Sequence, residues 1–179
     1  MIDRLYHRFY LWAQKRQSWA KRWKDPSFRT YRHLDFVKPL LPRPLPGPVL
    51  CLGPRNRLEL DFLRGSGFRD VIGLDLFSTS PDIHVGDMHD MSFQTHRFGM
   101  VWASHVIEHA RDPQLVFAEI NRVVKPGGYV FVAYPTDFKI NWHDRHDHGP
   151  PVLLPFRRYI AAKKTEAKGT AEWAALFQA

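Results

Sequence analysis

From residue 49 to residue 135 the chain repeats one pattern: a short, nearly unbroken apolar run, then a stop made of glycine, proline or a carboxylate. Residues 49–52 read as a buried strand ended by Gly53-Pro54. Residues 58–64 continue as a helix, with Leu58, Phe62 and Leu63 on one face and Gly65 and Gly67 at its end. Residues 71–74 form a second strand closing on Asp75, and residues 83–85 a third closing on Gly86-Asp87. Residues 100–103 form a fourth, followed by Ser104-His105. Helical spacing returns over 113–124 and stops at Lys125-Pro126-Gly127-Gly128, before a fifth strand at 129–134. Uninterrupted apolar strands interleaved with helices predict an α/β fold: a mostly parallel sheet covered by helices on both faces.

The flanks read differently. Residues 2–24 have helical periodicity, with Leu5, Phe9, Trp12, Trp19 and Trp23 along one stripe and Asp25-Pro26 as the stop. Two roles fit that stripe. It could pack across the domain or over its cleft, or it could lie at an interface with anionic lipid or an acidic partner. Residues 40–48 hold four prolines and a glycine, too many for a regular element. The expected organisation is therefore a basic aromatic helical arm at 1–39, a proline-rich linker at 40–48 and an α/β domain at 49–179. After Pro135, residues 163–169 suggest an exposed turn, and 172–178 (EWAALFQ) suit either a strand or a helix.

Charge sharpens this division. Residues 1–50 carry 11 Lys/Arg against 3 Asp, and the remainder is balanced, so the formal charge of +8 belongs to the arm. A neutral core does not point to a nucleic-acid binder. One cysteine, Cys51, excludes an internal disulfide and a cysteine-rich metal site, and its apolar setting suits a buried small hydrophobe. No apolar run approaches the roughly 20 residues that span a bilayer, and a cytoplasmic protein is the default expectation.

Ligands of open parallel sheets bind beyond the carboxyl ends of the strands. Those ends here are Gly53, Asp75, Asp87 and Ser104-His105. A turn at Gly53 would bring free helix amides toward a ligand. Asp75 is placed to accept from a ribose diol, which a carboxylate can do with two hydroxyls at once.

In order, VLCLGPRNRLELDFL, GLDL, HVGDMHDMSF, FGMVWASHVIEHARDP and EINRVVKPGGYVFVAYP resemble a class I S-adenosylmethionine-dependent methyltransferase with a Rossmann-like sheet, of the branch described as type 11. The resemblance implies S-adenosylmethionine as cofactor. Gly53 would let the backbone approach its methionine portion, with Arg55 and Asn56 in the same loop. Asp75, beside Leu76, would hold the ribose. Asp87 and Met88 would frame the adenine, and Ser104 and His105 would line the cleft near the sulfonium and substrate. Three departures stand out. Cys51 occupies a position that is usually acidic, Arg55 and Arg57 replace loop glycines, and only 11 residues separate Asp75 from Asp87, too few for the usual helix. The two arginines could crowd the cofactor or pair with its carboxylate.

The functional expectation is methyl transfer to a small-molecule acceptor, with His105 and then His109 as candidate proton acceptors because imidazole titrates near neutrality. Glu108 and His109 are expected to begin the next helix and fix its turn. The alternative is a catalytically inactive methyltransferase-like scaffold that works through its basic arm. No metal is expected; the run His143, Asp144, His146, Asp147, His148 is the candidate ligand set, and adjacent loop residues rarely complete a coordination shell.

Overall fold

The computed structural model describes residues 2–20, 23, 25, 27–54, 56–78, 80–136, 154–167 and 170–179. The His143–His148 run and Arg55 lie outside these residues.

The centre is one seven-stranded sheet. Its strands are β1 (Val49–Leu52), β2 (Val71–Asp75), β3 (Ile83–Val85), β4 (Phe98–Ser104), β5 (Val124–Thr136), β6 (Arg158–Ala167) and β7 (Thr170–Gln178). They lie in the order β3-β2-β1-β4-β5-β7-β6. The first five are parallel, and β7 pairs antiparallel with both β5 and β6. From β1 the chain runs outward to β2 and β3, then crosses to β4 on the other side of β1. That reversal of strand order opens a crevice at the carboxyl ends.

Alternation along the strands feeds two cores. Leu50 and Leu52 face one side with Val101, Ala103, Val130 and Val132, covered by Val116, Phe117, Ile120 and Val123 of α4 (Pro113–Val123). Val49 and Cys51 face the other side with Met100, Trp102 and Phe131. There they are covered by Leu60 and Leu63 of α3 (Arg57–Gly65) and by Leu34 and Val37 of α2 (Ser27–Val37). Burial on both faces explains why the strands read as continuous apolar runs. The Cys51 thiol is fully buried, and burial, followed by the charges of Glu59 and Asp75, pushes it well above its ordinary value. It is an inert core residue.

Several expectations change. Lys125 to Gly128 do not form a loop. The chain passes from α4 directly into β5, and the register against β4 slips between the Phe98–Val124 and Met100–Tyr129 pairs. Gly127, at φ 77, permits that irregularity. Lys163 to Ala167 belong to β6 rather than to a turn, and EWAALFQ is strand β7, so a C-terminal hairpin completes the sheet. Glu108 and His109 do not open α4; Ile107–His109 is a separate 3-10 turn, and α4 begins at Pro113 with Asp112 as its cap. Among the described residues between β2 and β3 there is no helix, as the short spacing required.

Helix α1 (Ile2–Ala20) reaches the domain by the face opposite to the aromatic stripe. Tyr10 and Gln14 are buried, whereas Phe9, Trp12 and Trp19 are each more than half exposed. The Tyr10 hydroxyl donates to the His109 carbonyl at 2.7 Å, which ties the helix to the rim of the crevice. No helix among the described residues is long and apolar enough to cross a membrane.

Candidate active site

At the carboxyl ends of β1, β2 and β4 lies a crevice that opens to solvent. Its walls are Gly53 after β1, Leu74, Asp75 and Leu76 at the end of β2, Gly86 to Met88 after β3, and His105, Val106 and His109 after β4. Tyr10 and Gln14 of α1 roof it. Seven residues expected from the sequence therefore share one cavity: Gly53, Asp75, Leu76, Asp87, Met88, His105 and His109.

Local chemistry explains the shape. Gly53 sits at φ 64, in the left-handed region, and its N–H donates to the Leu74 carbonyl at 2.8 Å. A side chain there would start 2.6 Å from Val106 Cγ2, so the floor of the crevice exists because this residue has no Cβ. One Asp75 oxygen accepts from the Phe77 N–H, which fixes the carboxylate at the strand end. Asp87 Oδ1 accepts from the His89 N–H at 2.9 Å and lies 2.5 Å from His89 Nδ1. His89 Nε2 accepts from the Arg111 and Asp112 amides, so the ring proton sits on Nδ1 and points at Asp87.

Other expected residues fall elsewhere. Asn56 does not line the crevice; its side chain accepts from the Leu58 N–H and caps α3. Ser104 turns its hydroxyl to His33 Nδ1 at 3.3 Å. Arg57 turns away from the crevice. Its guanidinium extends outward to Asp61 and Asp82, and the hydrogen bond to Asp61 raises its pKa further. Replacing Arg57 with alanine is therefore expected to leave S-adenosylhomocysteine affinity unchanged by calorimetry; a tenfold change would place that side chain at the ligand after all.

Beside the crevice lies a buried polar network that no sequence motif announces. Glu172 of β7 meets Arg32 and His33 of α2, His105 after β4 and Thr165 of β6. His105 Nε2 is 2.8 Å from Glu172 Oε2, and His33 Nε2 is 3.4 Å from Glu172 Oε1. The two imidazoles stack, with centroids 6.2 Å apart. His105 Nδ1 lies 3.6 Å from Glu108, an ion pair too long for a formed hydrogen bond. The backbone of His105 is left-handed, at φ 52, and that turn carries the ring back toward the sheet.

Burial pushes both histidines down, but they end on opposite sides of the ordinary value. For His105 the Glu108 and Glu172 carboxylates outweigh desolvation, and its pKa rises. For His33 desolvation prevails over Glu172, and its pKa falls. Burial would raise Glu172, yet the two histidines hold it far below the carboxylate range. His33, His105 and Glu172 also present three donor atoms within 4.8 Å of one another, a set that could ligate a cation. Arg32 pairs with the same carboxylate, so a fixed positive charge already serves it. Sequence reasoning missed His33, Glu172, Tyr10 and Gln14. His33 and Glu172 are 139 residues apart, and none of the four belongs to the strand-end pattern.

Comparison with known proteins agrees with this geometry. Residues 51–132 match the family model described as a methyltransferase domain. No curated protein matches the sequence. A chain from the Haloferax volcanii complex of the Trm112 methyltransferase activator with a methyltransferase is 26% identical, with a TM-score of 0.52. That match covers 67% of the present chain and 58% of the other, so this chain spans less than two-thirds of that protein's length. The Burkholderia thailandensis 1,6-didemethyltoxoflavin-N1-methyltransferase, solved with S-adenosylhomocysteine, is 12% identical with a TM-score of 0.64, covering 87% of this chain and 79% of that one. The cyclase SpnF is 12% identical with a TM-score of 0.63, over 85% and 80% of the two chains. The last two likenesses concern the fold alone. Residues 51–132 are thus similar to a methyltransferase domain, and the sheet order agrees with the Rossmann-like fold of class I S-adenosylmethionine-dependent methyltransferases.

Proposed function

We propose that the chain transfers a methyl group from S-adenosylmethionine to a small-molecule acceptor held at the mouth of this crevice. One observation carries the reading: the Gly53 floor, the Asp75 and Asp87 carboxylates and the Gln14 amide converge on a single cavity.

The residues fit an adenosyl ligand. A Cβ at Gly53 would run into Val106 Cγ2 at 2.6 Å, so this wall of the cavity keeps its shape only with glycine, and Asp75 stands at a strand end where a diol can donate to it. Among the described residues Gln14 Nε2 is buried without a hydrogen-bond partner, and Gln14 lines the cavity. A buried donor left unsatisfied costs about 1–3 kcal/mol, and an acceptor atom of a bound ligand would remove that cost. When bound, the cofactor supplies an electrophilic methyl group on a sulfonium. The chain's own contribution is then orientation, which in favourable systems is worth on the order of 7–11 kcal/mol.

His105 is the proton acceptor in this reading. Glu172 holds Nε2–H at 2.8 Å and leaves Nδ1, whose Glu108 contact is long, to take a proton from a hydroxyl or ammonium acceptor. Glu172 and His33 are positioning residues. The scaffold alternative loses one support, because Arg57 lies outside the crevice.

Isothermal titration with S-adenosylhomocysteine tests the first step. The reading expects one site per chain, weakened at least about tenfold in Asp75→Ala by loss of a charged hydrogen bond worth about 1.5–3 kcal/mol. No heat and no thermal shift at millimolar ligand would refute it. Tritium transfer from labelled cofactor into a small-molecule extract tests the second, and protein that binds without transferring would return the scaffold reading.

A further inference from the structure

Helix α1 presents two faces of opposite character. At about 100° per residue, Tyr10 and Gln14 point one way, into the crevice roof, and Phe9, Trp12, Arg16 and Trp19 point the other way. Phe9 is 53% exposed, Trp12 54% and Trp19 52%, and Trp23 just beyond the helix reaches 80%. The Phe9 and Trp12 rings lie 5.8 Å apart, and the Arg16 guanidinium sits 5.4 Å from the Trp12 ring centre. Lys15 and Arg16 are exposed alongside them. Residues 1–24 hold seven Lys/Arg against one Asp, while everything after residue 50 is electrically balanced.

We propose that α1 docks on an anionic lipid bilayer through this outer face, lying in the interface with its aromatic side chains among the headgroups while its inner face roofs the crevice. Indole rings suit the boundary because one edge is apolar and the N–H stays wet. Basic side chains beside them are drawn to anionic headgroups and keep their charge in water as their stems cover apolar surface. The exposed aromatic residues recur along one face of the helix, which a fluid surface can meet along its length. The claim does not depend on the cofactor, since docking is measured without one.

The test uses the full chain and vesicles of phosphatidylcholine alone or mixed with phosphatidylglycerol. Co-sedimentation should occur with the anionic vesicles, be weak with the neutral ones and fall at least about tenfold as salt rises, because exposed charges are screened within a Debye length. Brominated lipid chains should quench tryptophan emission only in the anionic mixture. The double variants Trp12→Ser/Trp19→Ser and Lys15→Glu/Arg16→Glu should each lose about tenfold or more in vesicle affinity, with the thermal midpoint of the wild type. Absence of binding to either vesicle, or variants that bind like the wild type, would overturn the proposal. So would binding to polyglutamate without binding to vesicles, which would assign the face to an acidic protein. Calorimetry with S-adenosylhomocysteine on the same preparation separates the two readings, for either can fail while the other stands.

Discussion

Gly53→Val should weaken S-adenosylhomocysteine binding on the order of a hundredfold while leaving the α/β sheet folded. The residue sits at φ 64, where a β-branched side chain is strained by roughly 1–3 kcal/mol. Its Cβ would also start 2.6 Å from Val106 Cγ2 and 3.1 Å from Val106 Cβ. Valine at 106 is itself stiff about χ1 and cannot swing aside cheaply. The loop must therefore shift, and it forms the floor of the cavity. Displacing that floor by a side chain's width should lower affinity on the order of a hundredfold, which corresponds to about 2.7 kcal/mol. Equilibrium dialysis with labelled cofactor reads the affinity, and circular dichroism confirms the fold. A folded Gly53→Val protein that binds as tightly as the wild type would show that the ligand does not use this turn.

Glu172→Gln should produce the largest loss of stability among polar substitutions at the site, about 3 kcal/mol by urea unfolding, as expected when one partner of a buried ionic network is removed. Glu172 is the carboxylate shared by Arg32, His33 and His105, and its replacement leaves those contacts with a neutral amide. The pH dependence follows from the shifts. Glu172 lies below its ordinary 4.5 in the folded chain, so its contribution is present above pH 4.5 and is lost as pH falls through the depressed value. His105 lies above its ordinary 6.5, so its contribution is present below pH 6.5 and is lost as pH rises through the raised value. The wild-type advantage should therefore be greatest between these two ordinary values and shrink toward alkaline pH. In the same variant the His105 ring, followed by proton NMR, should titrate at lower pH than in the wild type. An unchanged midpoint would deny Glu172 its role in setting that imidazole.

How much of this was legible depended on where each element sits. Strands β1 and β2 could be read almost to the residue because they are buried and nothing interrupts the apolar run, whereas β3, an edge strand with only Ile83 buried, was placed by its Gly86-Asp87 stop. The edge strand β6 could not, since Lys163, Lys164, Thr165 and Glu166 are polar in the way exposed edges are kept polar, and polarity reads as a turn. The fate of EWAALFQ stayed open because seven mostly apolar residues suit both periods. In α1 periodicity located the aromatic stripe correctly and left its direction undecided. The buried face is the one with Tyr10 and Gln14, which hydrogen-bonding and cavity geometry reveal and hydrophobicity hides. At the site, residues on strand ends were visible because strand ends are. Asn56 and Ser104 were drawn to the ligand by proximity in sequence, whereas in the fold the Asn56 side chain caps α3 and the Ser104 hydroxyl meets the His33 ring. Glu172 gave no signal, as its partners converge from α2 and the turn after β4, far away in the chain.

The most direct measurement is a crystal structure of the chain grown with S-adenosylhomocysteine. The account predicts the adenosyl group beneath α1, its ribose hydroxyls donating to Asp75, an acceptor atom within hydrogen-bonding reach of Gln14 Nε2, and Arg57 still turned toward Asp61 and Asp82. A crevice left empty at saturating ligand, or filled by the Arg55 side chain with the ligand seated elsewhere, would contradict it.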